Sequence, residues 1–160
     1  MTACSNNKLA IDLLISILAA IILAANILSV STNSWNIKRD DSITINRTGL
    51  FQQCSNSFCC DSKELDRTAT LFAFVSIILL ITSTLASFLF MSISKNCKNR
   101  CYILVPLTLF GAGITMTLTV IQILDQLYLN GYSAFIFMID TILAYLLGGI
   151  SLVHMNMFYL

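Results

Sequence analysis

The sequence predicts an all-α membrane protein, a bundle of four transmembrane helices that carries a small, disulfide-pinned antiparallel β-sheet in the loop after its first helix. Three observations carry that prediction. Four apolar runs, Leu9–Val30, Thr68–Ile93, Tyr102–Leu124 and Tyr132–Val153, each extend for at least 22 residues, and a helix rising ~1.5 Å per residue needs about 20 to cross a hydrocarbon core ~30 Å thick. The composition is 57% hydrophobic and 11% charged, against about 25% charged in an ordinary soluble domain. Between the first and second runs lies the one sizeable polar, turn-rich segment, Trp35 to Cys60. The chain therefore divides as one membrane domain over residues 1–160, with spans at about 9–30, 68–93, 102–124 and 132–153 and an extracellular loop at 31–67.

The first run is longer than the 7–15-residue apolar core of a signal peptide, and it reads as a retained helix. Asp12 lies one turn from Lys8 and reads as half of an interfacial pair, or as a charged residue reaching back to the membrane surface. In the loop, Ser42-Ile43-Thr44-Ile45-Asn46 alternates polar with apolar residues and is bounded by the turn-prone Asp40-Asp41 and Thr48-Gly49, so it reads as a strand. Leu50, Phe51 and Phe58 add apolar strand formers around the cysteines, and Ser55-Asn56-Ser57 is turn chemistry that folds two strands back on each other. Trp35, just after the first span, suits the membrane interface on general grounds. An isolated hairpin is marginal in water, so such a sheet needs a disulfide and packing against the helix ends.

Orientation follows from charge. The second loop, Ser94–Cys101, gathers Lys95, Lys98 and Arg100, while the third, Asp125–Gly131, has no basic residue. The positive-inside rule then puts the second loop and both termini in the cytoplasm. Asn46-Arg47-Thr48 in the first loop is the chain's one Asn-x-Ser/Thr sequon, which makes Asn46 a candidate glycosylation site on the extracellular side. Cys4, Cys97 and Cys101 then fall near cytoplasmic helix ends, as free thiols or sites of palmitoylation. Cys54, Cys59 and Cys60 face the oxidising side. One disulfide is expected from Cys54, with Cys59 or Cys60 as its partner, and one cysteine is left over.

Within the spans, Ala20/Ala24, Ala69/Ala73, Ser83/Ser87 and Ala144/Gly148 are small residues four apart, which let helix backbones approach closely in lipid. Gly111-Ala112-Gly113 does the same in the third span, where Pro106 is expected to bend the helix. Asp140 stands eight residues into the last span. An ionised carboxylate at that depth is costly, so a protonated or paired group is expected, with Thr115, Thr117, Thr119 and Ser76 as candidate partners. The sole histidine, His154, is accompanied by no paired deep carboxylates, metal-ligand spacing or Gly-rich phosphate loop, so neither enzyme activity nor a metal or other cofactor is expected. A net charge of +1 gives no footprint for nucleic acid.

Trp35, then Gly49-Leu50-Phe51-Gln52-Gln53-Cys54, then Cys59 or Cys60, resembles the W…GLW-x-x-C…C signature in the first extracellular loop of the superfamily that contains peripheral myelin protein, the epithelial membrane proteins and the claudins. The likeness covers essentially the whole chain and is nearest in size to the peripheral myelin and epithelial membrane branch; Arg67 matches an arginine that claudins carry before their second span. Phe51 departs from the signature tryptophan, and the cysteines are closer together than is usual in the family, so a tighter hairpin is implied. The resemblance implies a claudin-like fold at the plasma membrane or a cell junction, acting in cell contact or membrane organisation through the first loop. The implied partners are membrane lipids and other copies or related four-pass proteins. Calcium-channel gamma subunits share the signature, so an auxiliary subunit of a channel or receptor is the alternative. Ile- and Asn-rich usage is compatible with an AT-rich coding sequence, and a viral mimic of a host claudin-like protein is a further alternative.

Overall fold

A computed structural model describes residues 2–32, 34–40, 44–55, 58–61, 67–93, 100–124 and 129–158. Helix α1 (Thr2–Ser31) leads into strands β1 (Asn36–Asp40), β2 (Thr44–Thr48), β3 (Gln52–Ser55) and β4 (Phe58–Asp61), followed by α2 (Arg67–Ile93). A short 3-10 turn, Arg100–Ile103, precedes α3 (Leu104–Leu124), and α4 (Tyr132–Phe158) completes the described chain. All four helices are long and apolar enough to cross a membrane. Their outer faces carry large exposed apolar side chains from end to end, among them Leu14, Leu28, Phe74, Leu85, Leu107, Ile121, Ile142 and Val153. A water-facing helix would put polar residues there, whereas lipid tails solvate such a surface.

Each helix packs against its neighbours in chain order, and α4 closes the bundle onto α1. Close approach is made by small residues. Ala69, Ala73, Ser83, Ser87 and Ala144 are buried, and Gly148 sits under the Phe110 ring. Gly113 lies so close to Tyr145 that a Cβ there would come 2.9 Å from the ring. The expected pair Ala20/Ala24 departs from this pattern, since Ala24 is on the exposed face of α1. Pro106 is the third residue of α3, in the first turn, where its missing N–H deprives the helix of no bond.

The sheet is a four-stranded antiparallel meander in the order β1-β2-β3-β4. Three of its strands meet the sequence expectations in kind, with β2 running on through Thr48, a residue expected in a turn, as is Asp40, the last residue of β1. The alternating segment forms β2, with residues 42 and 43 of that segment outside the described residues, and the two cysteine-bearing strands form the β3–β4 hairpin, whose turn residues 56 and 57 are likewise outside them. The sequence reading missed β1, and for a physical reason: Asn36-Ile37-Lys38-Arg39-Asp40 has a single apolar residue and no alternation. It is a strand because β2 pairs with it along five residues, from Asn36↔Thr48 to Asp40↔Thr44. Leu50 and Phe51, expected in strands, instead occupy the bend between β2 and β3.

Candidate functional site

The sheet is joined to the bundle by a seam in which two stretches distant in sequence meet: the end of α1 with β1, and the residues leading into α4 with its first turns. Trp35 lies at its centre. The tryptophan is 1% exposed, so it is a packed core residue and not the membrane-interface residue that its position after a span suggests. Its indole Nε1–H donates to the Ser29 carbonyl at 2.8 Å, an acceptor in the last turn of α1 that also takes the Thr32 hydroxyl at 3.2 Å. Its ring packs against Phe137 of α4 with centroids 5.1 Å apart. Its backbone N–H donates to the Thr48 carbonyl at 3.0 Å and its carbonyl accepts from Gly131 N–H at 3.0 Å. One residue thus ties α1, β2 and the approach to α4 together.

The α4 side of the seam is equally specific. Ser133 N–H donates to the Ser34 carbonyl at 3.3 Å, and the Thr32 and Ser133 hydroxyls are hydrogen-bonded at 2.6 Å. Asn130 imitates a missing strand, because its Oδ1 accepts from Ile37 N–H at 2.8 Å while its Nδ2 donates to the Ile37 carbonyl at 2.9 Å. This closes part of the outer edge of β1, which would otherwise present unpaired backbone groups. Asn130→Ala is expected to cost about 1–2 kcal/mol and to speed hydrogen exchange at Ile37 selectively, leaving amides of α2 and α3 unchanged.

The residues of the loop signature fall around this seam. Gly49 and Leu50 are buried. The Phe51 ring lies 5.5 Å from that of Phe74 on α2, so the aromatic at this position seats the far side of the sheet on a second helix. Arg67 is the first residue of α2 and is exposed. Cys54 is nearly buried and disulfide-bonded; in the ladder it is opposite Cys59, while Cys60 is opposite Gln53. The side chains of Cys59 and Cys60 lie outside the described residues, as do those of Asn46, Cys4 and Cys101 and all of residue 97. The backbone of Asn46 is within β2, between Lys38 on one side and Ser55 on the other.

At the opposite end of the bundle the structure gives Asp12 a partner across the bundle. Its Oδ1 is 2.8 Å from Nε2 of His154 on α4, and both residues are buried. The edge of Tyr102 meets the histidine ring at 5.9 Å. A Lys8 pair one turn away is visible in the sequence, but a contact across 142 residues is not; the one signal for it is that the chain's sole histidine lies in the last span, near the same end as Asp12. His154→Leu leaves a buried acid without this partner and is expected to destabilise the detergent-solubilised protein by about 3 kcal/mol. Changing Asp12 to leucine as well should recover most of that loss in a thermal melt.

Asp140 is buried too, but the four hydroxyls expected to meet it do not. Ser76, Thr115 and Thr119 each donate to a carbonyl of their own helix, and Thr117 bonds both the Gly113 carbonyl and the Tyr145 hydroxyl. Back-bonding of this kind is the usual resource of Ser and Thr in apolar helices.

The fold and the seam together define a class, a four-helix membrane-type bundle with a small sheet hydrogen-bonded to one end. A scan against protein-family models and a search of curated proteins both return no match for the chain.

Proposed function

We propose that this protein organises cell contacts or membranes in the manner of the claudins and the peripheral myelin proteins, with its sheet as the contact surface and its lipid-facing helices as the means of lateral assembly. The observation that carries the reading is the role of Trp35. The residue that opens the resemblance to that superfamily is also the one that locks the sheet to α1 and α4 through its indole N–H, both backbone groups and its ring. A contact surface must be held in a fixed attitude to the membrane if binding is not to cost the entropy of ordering it. The other signature residues support the same seat, with Leu50 buried against the bundle and Phe51 on Phe74.

In this reading the sheet is extracellular and both termini are cytoplasmic. Cys59 is the disulfide partner of Cys54, because it is the residue directly opposite in the β3–β4 ladder and cross-strand Cα separations fall in the range a disulfide accepts. Asn46 carries a glycan, and Cys4, Cys97 and Cys101 are the cytoplasmic cysteines open to palmitoylation. The partners are lipids and a second copy of this chain or a related four-pass protein, and the function is binding without catalysis.

The test uses two populations of cells, each expressing the full chain with a different tag, mixed and allowed to touch before solubilisation in mild detergent. Recovery of one tag with the other, lost for a Cys54→Ser variant that still reaches the surface, is the expected result. Recovery of a stoichiometric channel or receptor subunit in its place, with no pairing of tags, would replace this reading by that of an auxiliary subunit.

A further inference from the structure

The Asp12–His154 contact and the Thr32–Ser133 contact fix the register between α1 and α4 at the two ends of their interface, at 2.8 Å and 2.6 Å. Between them, buried residues recur every seven positions on both helices: Asp12, Ala19 and Asn26 on α1, and Ser133, Asp140, Leu147 and His154 on α4. A seven-residue spacing keeps one face of a helix toward its partner through two turns of an antiparallel pair. Asn26 is fourteen residues from Asp12, and Asp140 is fourteen residues from His154, so both stand about 21 Å from that contact toward the sheet end. The same register therefore brings Asn26 and Asp140 opposite each other in the α1–α4 interface.

Both side chains are deeply buried, Asn26 at 0% and Asp140 at 3% exposure. Asn26 Nδ2, Asn26 Oδ1 and Asp140 Oδ2 all lack a hydrogen-bond partner at the positions they occupy. One unsatisfied buried polar group costs about 1–3 kcal/mol, and here an orphaned donor and two orphaned oxygens share one level of one interface. In sequence, residues 13–31, 68–93, 104–124 and 133–153 contain no Asp, Glu, Lys or Arg other than Asp140. The titratable groups that the described parts of α1, α3 and α4 carry are Lys8 and Asp12 on α1 and, besides Asp140 itself, Tyr132, Tyr145 and His154 on α4; the Tyr145 hydroxyl is bonded to Thr117, and Asp12 and His154 meet two heptads away. Lys8 and His154 lie two heptads or more from this level and Arg67 is exposed at the first residue of α2, so among the described residues no cation stands beside Asp140 to balance a carboxylate.

We infer that Asn26 and Asp140 form an amide–carboxylic acid pair that holds one proton inside the bundle. The Asp140 carboxyl O–H donates to Asn26 Oδ1, and Asn26 Nδ2 donates to the other carboxyl oxygen. A side-chain rotation at one level of the interface closes this ring of two hydrogen bonds and satisfies all three orphaned atoms without a charge. A bound sodium ion would use the oxygens but leave the buried Asn26 Nδ2 donor unpaired, which is why the proton is the occupant. The pair also fixes the α1–α4 register from which Thr32, Ser34 and Trp35 reach Ser133 and Gly131, and so bears on the seating of the sheet.

The test combines a thermal melt with infrared spectroscopy of the full chain in detergent containing isotope-labelled aspartate. Asn26→Leu should lower the melting temperature by about 5 °C or more, Asp140→Asn should be tolerated because two amides also pair, and Asn26→Leu with Asp140→Leu should regain most of the loss. In the native protein a protonated-carboxyl band, absent from Asp140→Asn and shifted in Asn26→Leu, is expected at neutral pH. Additive losses in the double variant, absence of that band, or a melting temperature raised by sodium chloride and not by choline chloride would each overturn the pair.

Discussion

Gly131→Ala is expected to be the most damaging single-methyl substitution in the described chain. A Cβ at this position would lie 1.7 Å from the Ser34 carbonyl oxygen, 2.5 Å from its carbon and 2.8 Å from the Trp35 carbonyl oxygen. These are backbone atoms, and they cannot swing aside as the end of a flexible side chain would. The Gly131 N–H bond to Trp35 and the Ser133 N–H bond to Ser34 must lengthen together to admit the methyl group. A cost of about 3 kcal/mol, at the upper end for overpacking, follows. The loss should be local in character. Protection of the sheet amides from hydrogen exchange should fall while the centres of α2 and α3 keep theirs, and a melt in detergent should show the seam opening before the helices separate. The same substitution at Gly149, where nothing lies within 4 Å of the position a Cβ would take, is the control and should change little.

Trp35→Ala is expected to have a comparable effect through the opposite cause, a void in place of a clash. Removing a fully buried indole that packs on Phe137 and donates to Ser29 should cost about 3–5 kcal/mol. Trp35→Phe separates the two contributions. It keeps most of the ring contact and deletes the Nε1–H donor, and a smaller loss of about 1–2 kcal/mol is expected. A tag-pairing assay on surface-delivered Trp35→Phe would then report how far the attitude of the sheet, as distinct from its presence, governs contact.

The spans were legible in the sequence because a bilayer leaves little choice. Any chain that crosses it must satisfy its backbone internally, so long apolar runs become helices whatever they pack against. The observed helices extend beyond the apolar runs, α1 from Thr2 and α4 to Phe158, because polar flanking turns add nothing to hydropathy yet continue the same hydrogen-bond ladder. The β3–β4 hairpin was legible for a local reason too, since its turn chemistry and its strands are adjacent. What could not be read is set by partners far away. β1 lacks a strand pattern and depends on β2 and on the Asn130 side chain; Trp35 looks interfacial until Gly131 and Phe137 are beside it; and Asp12 finds His154 instead of resting with Lys8 alone as its visible neighbour. Asp140 was noticed by its charge type, but Asn26 was not, because an asparagine in an apolar run draws attention only once the antiparallel register sets it opposite an acid.

If the sheet, held by the Trp35 seam, is the contact surface proposed above, it joins one membrane to another. Reconstituting the purified full chain into two populations of lipid vesicles with different fluorophores, and following their aggregation by energy transfer, tests that claim with no other protein present. Transfer should rise with protein density, be abolished when either population lacks the protein, and fall sharply for an Arg47→Glu change on the exposed surface of β2 that leaves the melting temperature intact. Vesicles that remain dispersed at every density, with the native protein folded and its sheet facing outward, would contradict it.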